Sequence, residues 1–172
     1  MHTIMVKIKL HGRLSMWGID PGISGALCHF DSTEGFVEVF DMPILETNGK
    51  KHVDPWALCR FLKQHESSAV WIERVGARPG QGVVSMFNFG RSYGTLIGAV
   101  TALEMQLNYV TPQEWQRKVK MQSGKDGSRT RASELMPAYA HLFARKKDDG
   151  RSDAALIAFY GFCFGSNVDS ND

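Results

Sequence analysis

Cysteine is scarce. Cys28, Cys59 and Cys163 are the only three in 172 residues, odd in number and far apart. They form neither a disulfide framework nor a zinc motif, which points to a reducing compartment and hence the cytoplasm. No apolar run reaches the ~18–20 residues a membrane-crossing helix needs, so a spanning segment is excluded. Residues 1–15 contain no acid and too short an apolar stretch for a signal peptide. They read as a flexible N-terminal extension, with Met16 as an alternative start. Proline (6) and glycine (17) show no collagen-like period, and 43% hydrophobic with 22% charged residues excludes disorder as the main state. What remains is one globular domain, since a chain of this length has no room for two.

Net charge is also small, at +2, but it is unevenly spread. Residues 1–73 carry a net of −2, residues 74–151 a net of +7 and residues 152–172 a net of −3. A basic middle fits either a polyanion-facing surface or ordinary decoration of helix exteriors.

Short apolar runs at 16–20 and 24–30, then the alternating GFVEVFDM at 35–42, predict a three-stranded antiparallel meander. Asp54 followed by Pro55 starts a helix to His65 with apolar Trp56, Leu58, Phe61 and Leu62. Ala69–Glu73 reads as a buried strand, and RVGARPGQGVVS at 74–85 as a Gly-rich basic loop. A long helix is expected over 86–106, with Gly90, Gly94 and Gly98 at spacings that admit another helix, within the chain or across a dimer. A strand at 109–111 leads to a helix at 112–119 capped by Thr111. A helix over 129–143 bends at Pro137, and a last helix spans 150–164 before the polar tail 166–172. The order β-β-β-α-β-α-β-α-α-α describes an α/β domain built on a mixed sheet. His29, His52, His65 and His141 lack ligand-like spacing, and Cys28 and Cys163 read as core.

The informative feature is where the acids fall. Asp20 ends the first strand before a Pro-Gly turn, and Glu73 ends a later buried strand. Asp148, Asp149 and Asp153 gather at the entry to the last helix, with Asp149 and Asp153 on one helix face. Desolvating an unpaired carboxylate costs several kcal/mol, a cost that a shared divalent cation offsets. Mg²⁺ suits such oxygen ligands. Each acid also has an ordinary reading: Asp20 as a turn cap, Glu73 paired with Arg74 or Arg78, and Asp148 and Asp149 as helix caps.

Ile19-Asp20-Pro21-Gly22, Trp71-Ile72-Glu73, Phe89-Gly90-Arg91-Ser92-Tyr93-Gly94, Val110-Thr111-Pro112 with Trp115, and Lys146-Lys147-Asp148-Asp149-Gly150-Arg151-Ser152-Asp153-Ala154 occur in that order. Over residues 16–164 this set resembles the RuvC-type Holliday junction resolvases of the RNase H-like superfamily, in a form closest to a phage or viral branch acting in the host cytoplasm. The resemblance implies a nuclease domain over 16–165, with a five-stranded mixed sheet, its first three strands antiparallel and helices on both faces. It implies a homodimer that binds four-way DNA junctions, with no membrane and no small-molecule cofactor. Two opposed strands would be nicked, leaving 5′ phosphates and 3′ hydroxyls. Asp20, Glu73, Asp149 and Asp153 match the ligands of two Mg²⁺ ions, replaceable by Mn²⁺, with Asp148 a competitor for the place of Asp149. Arg74, Arg78, Lys118, Lys120, Lys125, Arg129, Arg131, Lys146, Lys147 and Arg151 are available to hold phosphates, Arg151 alternatively pairing with Asp148. Two departures stand out. The bacterial enzymes carry the first helix acid at the place of Gly150, and a junction-wedging phenylalanine at the place of Gly76. Phe87 and Phe89 are candidates to substitute for that phenylalanine, with a core position at helix spacing the stronger expectation for each.

Overall fold

A computed structural model describes residues 15–32, 35–65, 67, 69–76 and 80–165. The N-terminal extension up to residue 14, the tail at 166–172 and Arg78 lie outside the described residues.

Strands β1 (Ser15–Asp20), β2 (Ala26–Asp31) and β3 (Phe36–Asp41) form the expected meander. A small hairpin, β4 (Ile44–Thr47) and β5 (Lys50–Val53), follows. Helix α1 (Pro55–Gln64) leads to β6 (Ala69–Glu73), α2 (Val83–Ala102) and β7 (Leu107–Val110). Helices α3 (Pro112–Lys118), α4 (Gly127–Leu135) and α5 (Asp149–Phe164) complete the chain, with two 3-10 segments, Pro137–Phe143 and Lys146–Asp148, before α5. The main sheet has the order β3-β2-β1-β6-β7. Its first three strands are antiparallel, and β6 runs parallel to both β1 and β7. This is the five-stranded mixed sheet expected from the sequence.

Both faces of the sheet are covered, which explains why β1, β2 and β6 read as nearly continuous apolar runs. Side chains alternate between faces along a strand. Trp17, Ile19, Val70 and Ile72 face α1 and α2, joining Leu58, Leu62, Leu96 and Val100 in one core. Met16, Cys28, Ala69 and Trp71 face the other way, against Trp115, Phe143 and the inner side of α5. The same parity sends Asp20 and Glu73, the last residues of β1 and β6, to the α5 face. Contact there is close: a methyl group at Gly18 would lie 2.2 Å from the Ala154 carbonyl oxygen, and one at Gly161 2.2 Å from the Trp71 ring.

Local signals account for most boundaries. Asp54 caps α1 by accepting the N–H groups of Trp56 and Ala57 at 2.9 and 3.1 Å. Helix α4 stops at Leu135, because Pro137 lacks the N–H that would continue it. Trp56, on the apolar list of α1, is 82% exposed.

Three sequence expectations are corrected. The β4–β5 hairpin had gone unassigned, although Asn48-Gly49, at φ 52° and 70°, is the backbone pair a two-residue hairpin turn requires. Its strands carry little of the apolar alternation that marks a strand. Helix α2 starts three residues earlier than expected and ends at Ala102, where Leu103 donates back to Ala99 and Glu104 turns to φ 56°. Val83, Val84 and Ser85 belong to the stretch expected as part of the Gly-rich loop. Lastly, a methyl group at Gly90, Gly94 or Gly98 would meet nothing within 4 Å, so among the described residues nothing packs closely on this stripe.

Candidate active site

Register places the first two acids side by side. Ile19 stands opposite Ile72 across the parallel β1–β6 pair, so the next residues, Asp20 and Glu73, leave neighbouring strand ends on the same face. The turn after β1 closes when the Gly25 N–H donates to the Gly22 carbonyl at 3.1 Å. That turn abuts the start of α5: a methyl at Gly150 would come 2.5 Å from the Ser24 carbonyl oxygen and 3.1 Å from Asp20 Oδ2. A side chain at position 150 would therefore collide with the turn after β1. The first turn of α5 is thus pressed against Asp20, and Asp149 and Asp153 arrive one helical turn apart.

These carboxylates feel one another. Burial, then the charges of Asp153 and Glu73, push the Asp20 carboxyl up to about 8. Burial lifts Asp153 to about 6 against a hydrogen bond from Ser128, with Glu73 and Asp149 adding to the rise. Among the described residues no three such side chains close on a single point as they stand. The donor set nevertheless fits a hard divalent cation, being all carboxylate oxygen, partly desolvated and mutually repelling. It lacks the imidazole and thiolate donors that favour zinc or copper.

The neighbours sort the acids by role. Trp115 is buried, and its indole N–H donates to Glu73 Oε2 at 2.8 Å. The Tyr93 hydroxyl donates to the Glu73 carbonyl oxygen at 3.2 Å. The sequence reading gave neither side chain a role; the available signal was a tryptophan in a short amphipathic helix, whose N–H needs an acceptor once buried. Arg129 Nε donates to Asp149 Oδ1 at 2.8 Å, and its Nη2 pairs with Asp126. Asp148 is only 1% exposed, taking the Arg145 backbone N–H at 2.8 Å and the Arg145 guanidinium at 2.9–3.2 Å. Those bonds hold its carboxyl below the usual range and consume its oxygens in a cap. Asp149, not Asp148, shares the neighbourhood of Asp153.

Arg151 makes two 2.6 Å bonds to Asp41 at the end of β3 and lies 3.8 Å from Asp148. Its main partner is therefore Asp41, 110 residues away in sequence, rather than Asp148. Arg131 is likewise engaged, with Glu134 and the Val119 carbonyl. Lys118 sits 5.2 Å from the centre of the Phe164 ring and Arg74 5.6 Å from that of Tyr109. Lys118, Lys120, Lys125, Lys146 and Lys147 face solvent. Of the two phenylalanines expected in the core, Phe87 is 70% exposed and Phe89 is half-buried against Tyr93.

The raised carboxyls make a stability prediction. Asp20 stands near 8 when folded and near 3.8 otherwise, so the folded chain binds an extra proton between those values. That contribution to stability is complete below about pH 4 and is lost as pH rises through about 8. Asp153 acts in the same direction up to about 6. Asp41 and Asp148, both held low, matter only below about pH 4. The metal-free protein should therefore melt several degrees lower at about pH 8.5 than at about pH 5, and Mg²⁺ should restore the difference. Equal melting temperatures for wild type and Asp20→Asn at both pH values would refute the burial of this carboxylate.

Neither protein-family profiles nor curated protein sequences match this chain. Solved structures do. RuvC of T. thermophilus in complex with a Holliday junction substrate superposes with a TM-score of 0.57 at 14% identity, over 87% of this chain and 95% of that one. A second Thermus thermophilus RuvC structure gives 0.53 at 13% identity, over 87% and 96%. The yeast mitochondrial Holliday junction resolvase gives 0.51 at 15% identity, over 87% and 78%. With the strand order, the two acid-bearing strand ends and the acid-bearing α5 already in place, the chain has the RNase H-like fold of the RuvC-type resolvases.

Proposed function

We propose that this chain is a structure-selective endodeoxyribonuclease that resolves four-way DNA junctions by paired, symmetric, Mg²⁺-dependent nicks. The observation that carries the reading is the placement of Asp20 and Glu73 on neighbouring strand ends, on the face against which α5 packs and brings Asp153. With Asp149 they are the residues that would hold two Mg²⁺ ions, or Mn²⁺ in their place. Bound there, the metals supply a water of lowered pKa and charge stabilisation at the departing 3′ oxygen, leaving 5′-phosphate and 3′-hydroxyl ends. The protein's part is to keep the carboxylates oriented and charged: Trp115 fixes one oxygen of Glu73, and Arg129 steadies Asp149. The exposed lysines, Lys118, Lys120, Lys125, Lys146 and Lys147, grip backbone phosphates without reading sequence, and Arg74 borders the site.

A four-way junction labelled on each arm and incubated with Mg²⁺ tests the reading. Paired nicks at symmetric positions are expected. Equal cutting of forks and flaps would make the protein a general branch nuclease, and tight binding without cutting in Mg²⁺ or Mn²⁺ would remove the enzyme. Trp115→Phe should weaken Mn²⁺ binding about tenfold, as loss of a group that orients a ligand does. Titration calorimetry reads this directly, and an unchanged affinity would deny Trp115 that role.

Symmetric nicking calls for two active sites, hence a homodimer. Val83, Phe87, Gly90, Gly94 and Gly98 recur at three- and four-residue spacing on one open stripe of α2, with Val83 84% exposed. A bulky apolar end and a smooth glycine run suit close packing against a second copy. Phe87→Asp should convert the dimer to a monomer of 19.2 kDa by light scattering. A dimer that survives the change would place the interface elsewhere.

A further inference from the structure

Helix α3 is strapped to two elements that carry the acids. Its seven residues make a helix too short to stand on its own, so its place is set by what it packs against. Two adjacent side chains on it reach different neighbours. The Trp115 indole N–H donates to Glu73 Oε2 at the end of β6. Glu114 Oε1 accepts the Tyr160 hydroxyl of α5 at 2.6 Å. A hydroxyl-to-carboxylate bond of that length belongs to the stronger class of hydrogen bonds.

Tyr160 is a firm anchor. It is buried, and its ring meets Trp71 edge-on with centres 5.3 Å apart. Burial, then the bond to Glu114, raises the hydroxyl above the usual tyrosine range, which keeps it a donor. Tyr160 also lies two helical turns beyond Asp153, so one helix carries both a candidate ligand and the anchor of α3. The start of α3 is fixed separately beside β6. There the Arg74 N–H donates to the Val110 carbonyl at 2.7 Å, and Thr111 caps the helix at the Glu114 N–H. The bond from Tyr160 holds the helix about that start.

Resting on the metal reading above, we propose that Tyr160 is a positioning residue of the site. By holding Glu114 it sets α3, and through α3 it sets the Trp115 N–H that orients the Glu73 carboxylate. Glu73 is thereby referred to the same helix that carries Asp149 and Asp153.

Two readouts test this. The first needs no metal: it is the Trp115 indole N–H signal in a two-dimensional proton–nitrogen NMR spectrum, assigned by its loss in Trp115→Phe. Tyr160→Phe keeps the aromatic ring but should move that signal, and Glu114→Ala should move it alike. Glu114→Gln, which retains an acceptor for the hydroxyl, should leave it near the wild-type position. The second readout is Mn²⁺ affinity by titration calorimetry. Tyr160→Phe should weaken it about fivefold, less than Trp115→Phe because it acts at one remove. Acting through Trp115, it should add little when the two changes are combined. Phe159→Leu, one residue away on α5 but turned edge-on to Phe30, controls for general loosening of the helix. It should lower the melting temperature and leave Mn²⁺ affinity unchanged.

An indole signal indifferent to Tyr160→Phe would overturn the proposal and leave the nuclease standing. So would losses that add in full in the double variant, or a Phe159→Leu that weakens Mn²⁺ as much as Tyr160→Phe. Failure of the wild-type chain to bind Mn²⁺ would remove the metal reading instead. The indole signal would then still decide Tyr160: a shift supports its hold on Trp115, and no shift overturns it.

Discussion

Asp20→Asn should abolish junction cutting, by roughly a thousandfold or more, while junction affinity stays within about twofold. The substitution keeps the shape of the side chain and removes only its charge. Asp20 sits where burial and two neighbouring carboxylates already oppose ionisation, so a cation is what makes its charged form tenable. Without that charge the proposed metals would lose one of their carboxylate ligands. The proposed grip on DNA uses lysines elsewhere on the surface, so binding should persist. The same variant should melt higher than wild type in metal-free buffer near pH 8, because it no longer buries a charge there. Better stability, intact binding and lost cutting form a signature that misfolding cannot imitate. Residual cutting near the wild-type rate would remove Asp20 from the catalytic group.

Gly18→Ala should be the most damaging small substitution away from the acids. Its methyl group would lie 2.2 Å from the Ala154 oxygen and 2.3 Å from the Ala158 nitrogen, both backbone atoms of α5. No rotamer change relieves such a contact, so helix and strand must separate. Overpacking of this severity costs about 3 kcal/mol, or roughly 10 °C in melting temperature for a domain of this size. Because α5 carries Asp149 and Asp153 while β1 carries Asp20, the same separation should weaken Mn²⁺ binding. A melting temperature within about 2 °C of wild type would contradict the close seating of α5 on β1.

The two variants act on one construction from opposite ends. The carboxylates are brought together by strand parity at Asp20 and Glu73 and by the close approach of α5 at Gly18 and Gly150. Arg151 bridges α5 to Asp41 on β3 and secures the helix start against the sheet edge.

Much of this was legible in the residues alone. Alternation and apolar runs located all five strands of the main sheet, since side-chain direction along a strand follows from backbone geometry. Asp54-Pro55, Thr111-Pro112 and Pro137 marked helix ends through local hydrogen bonding and sterics. Carboxylates at the ends of apolar strands announced a polar site because charge does not enter such strands without compensation. What the sequence could not settle is which partner each group takes. Trp115 meets Glu73 across 42 residues and Arg151 meets Asp41 across 110. The pairing of Asp148 with Arg145 and of Asp149 with Arg129, the solvent-facing side of Gly90, Gly94 and Gly98, and a cleft lined by Phe89 also waited on the tertiary structure. Local order obeys forces within a few residues along the chain, whereas pairing, exposure and cavities are set by which surfaces the folded sheet and helices press together.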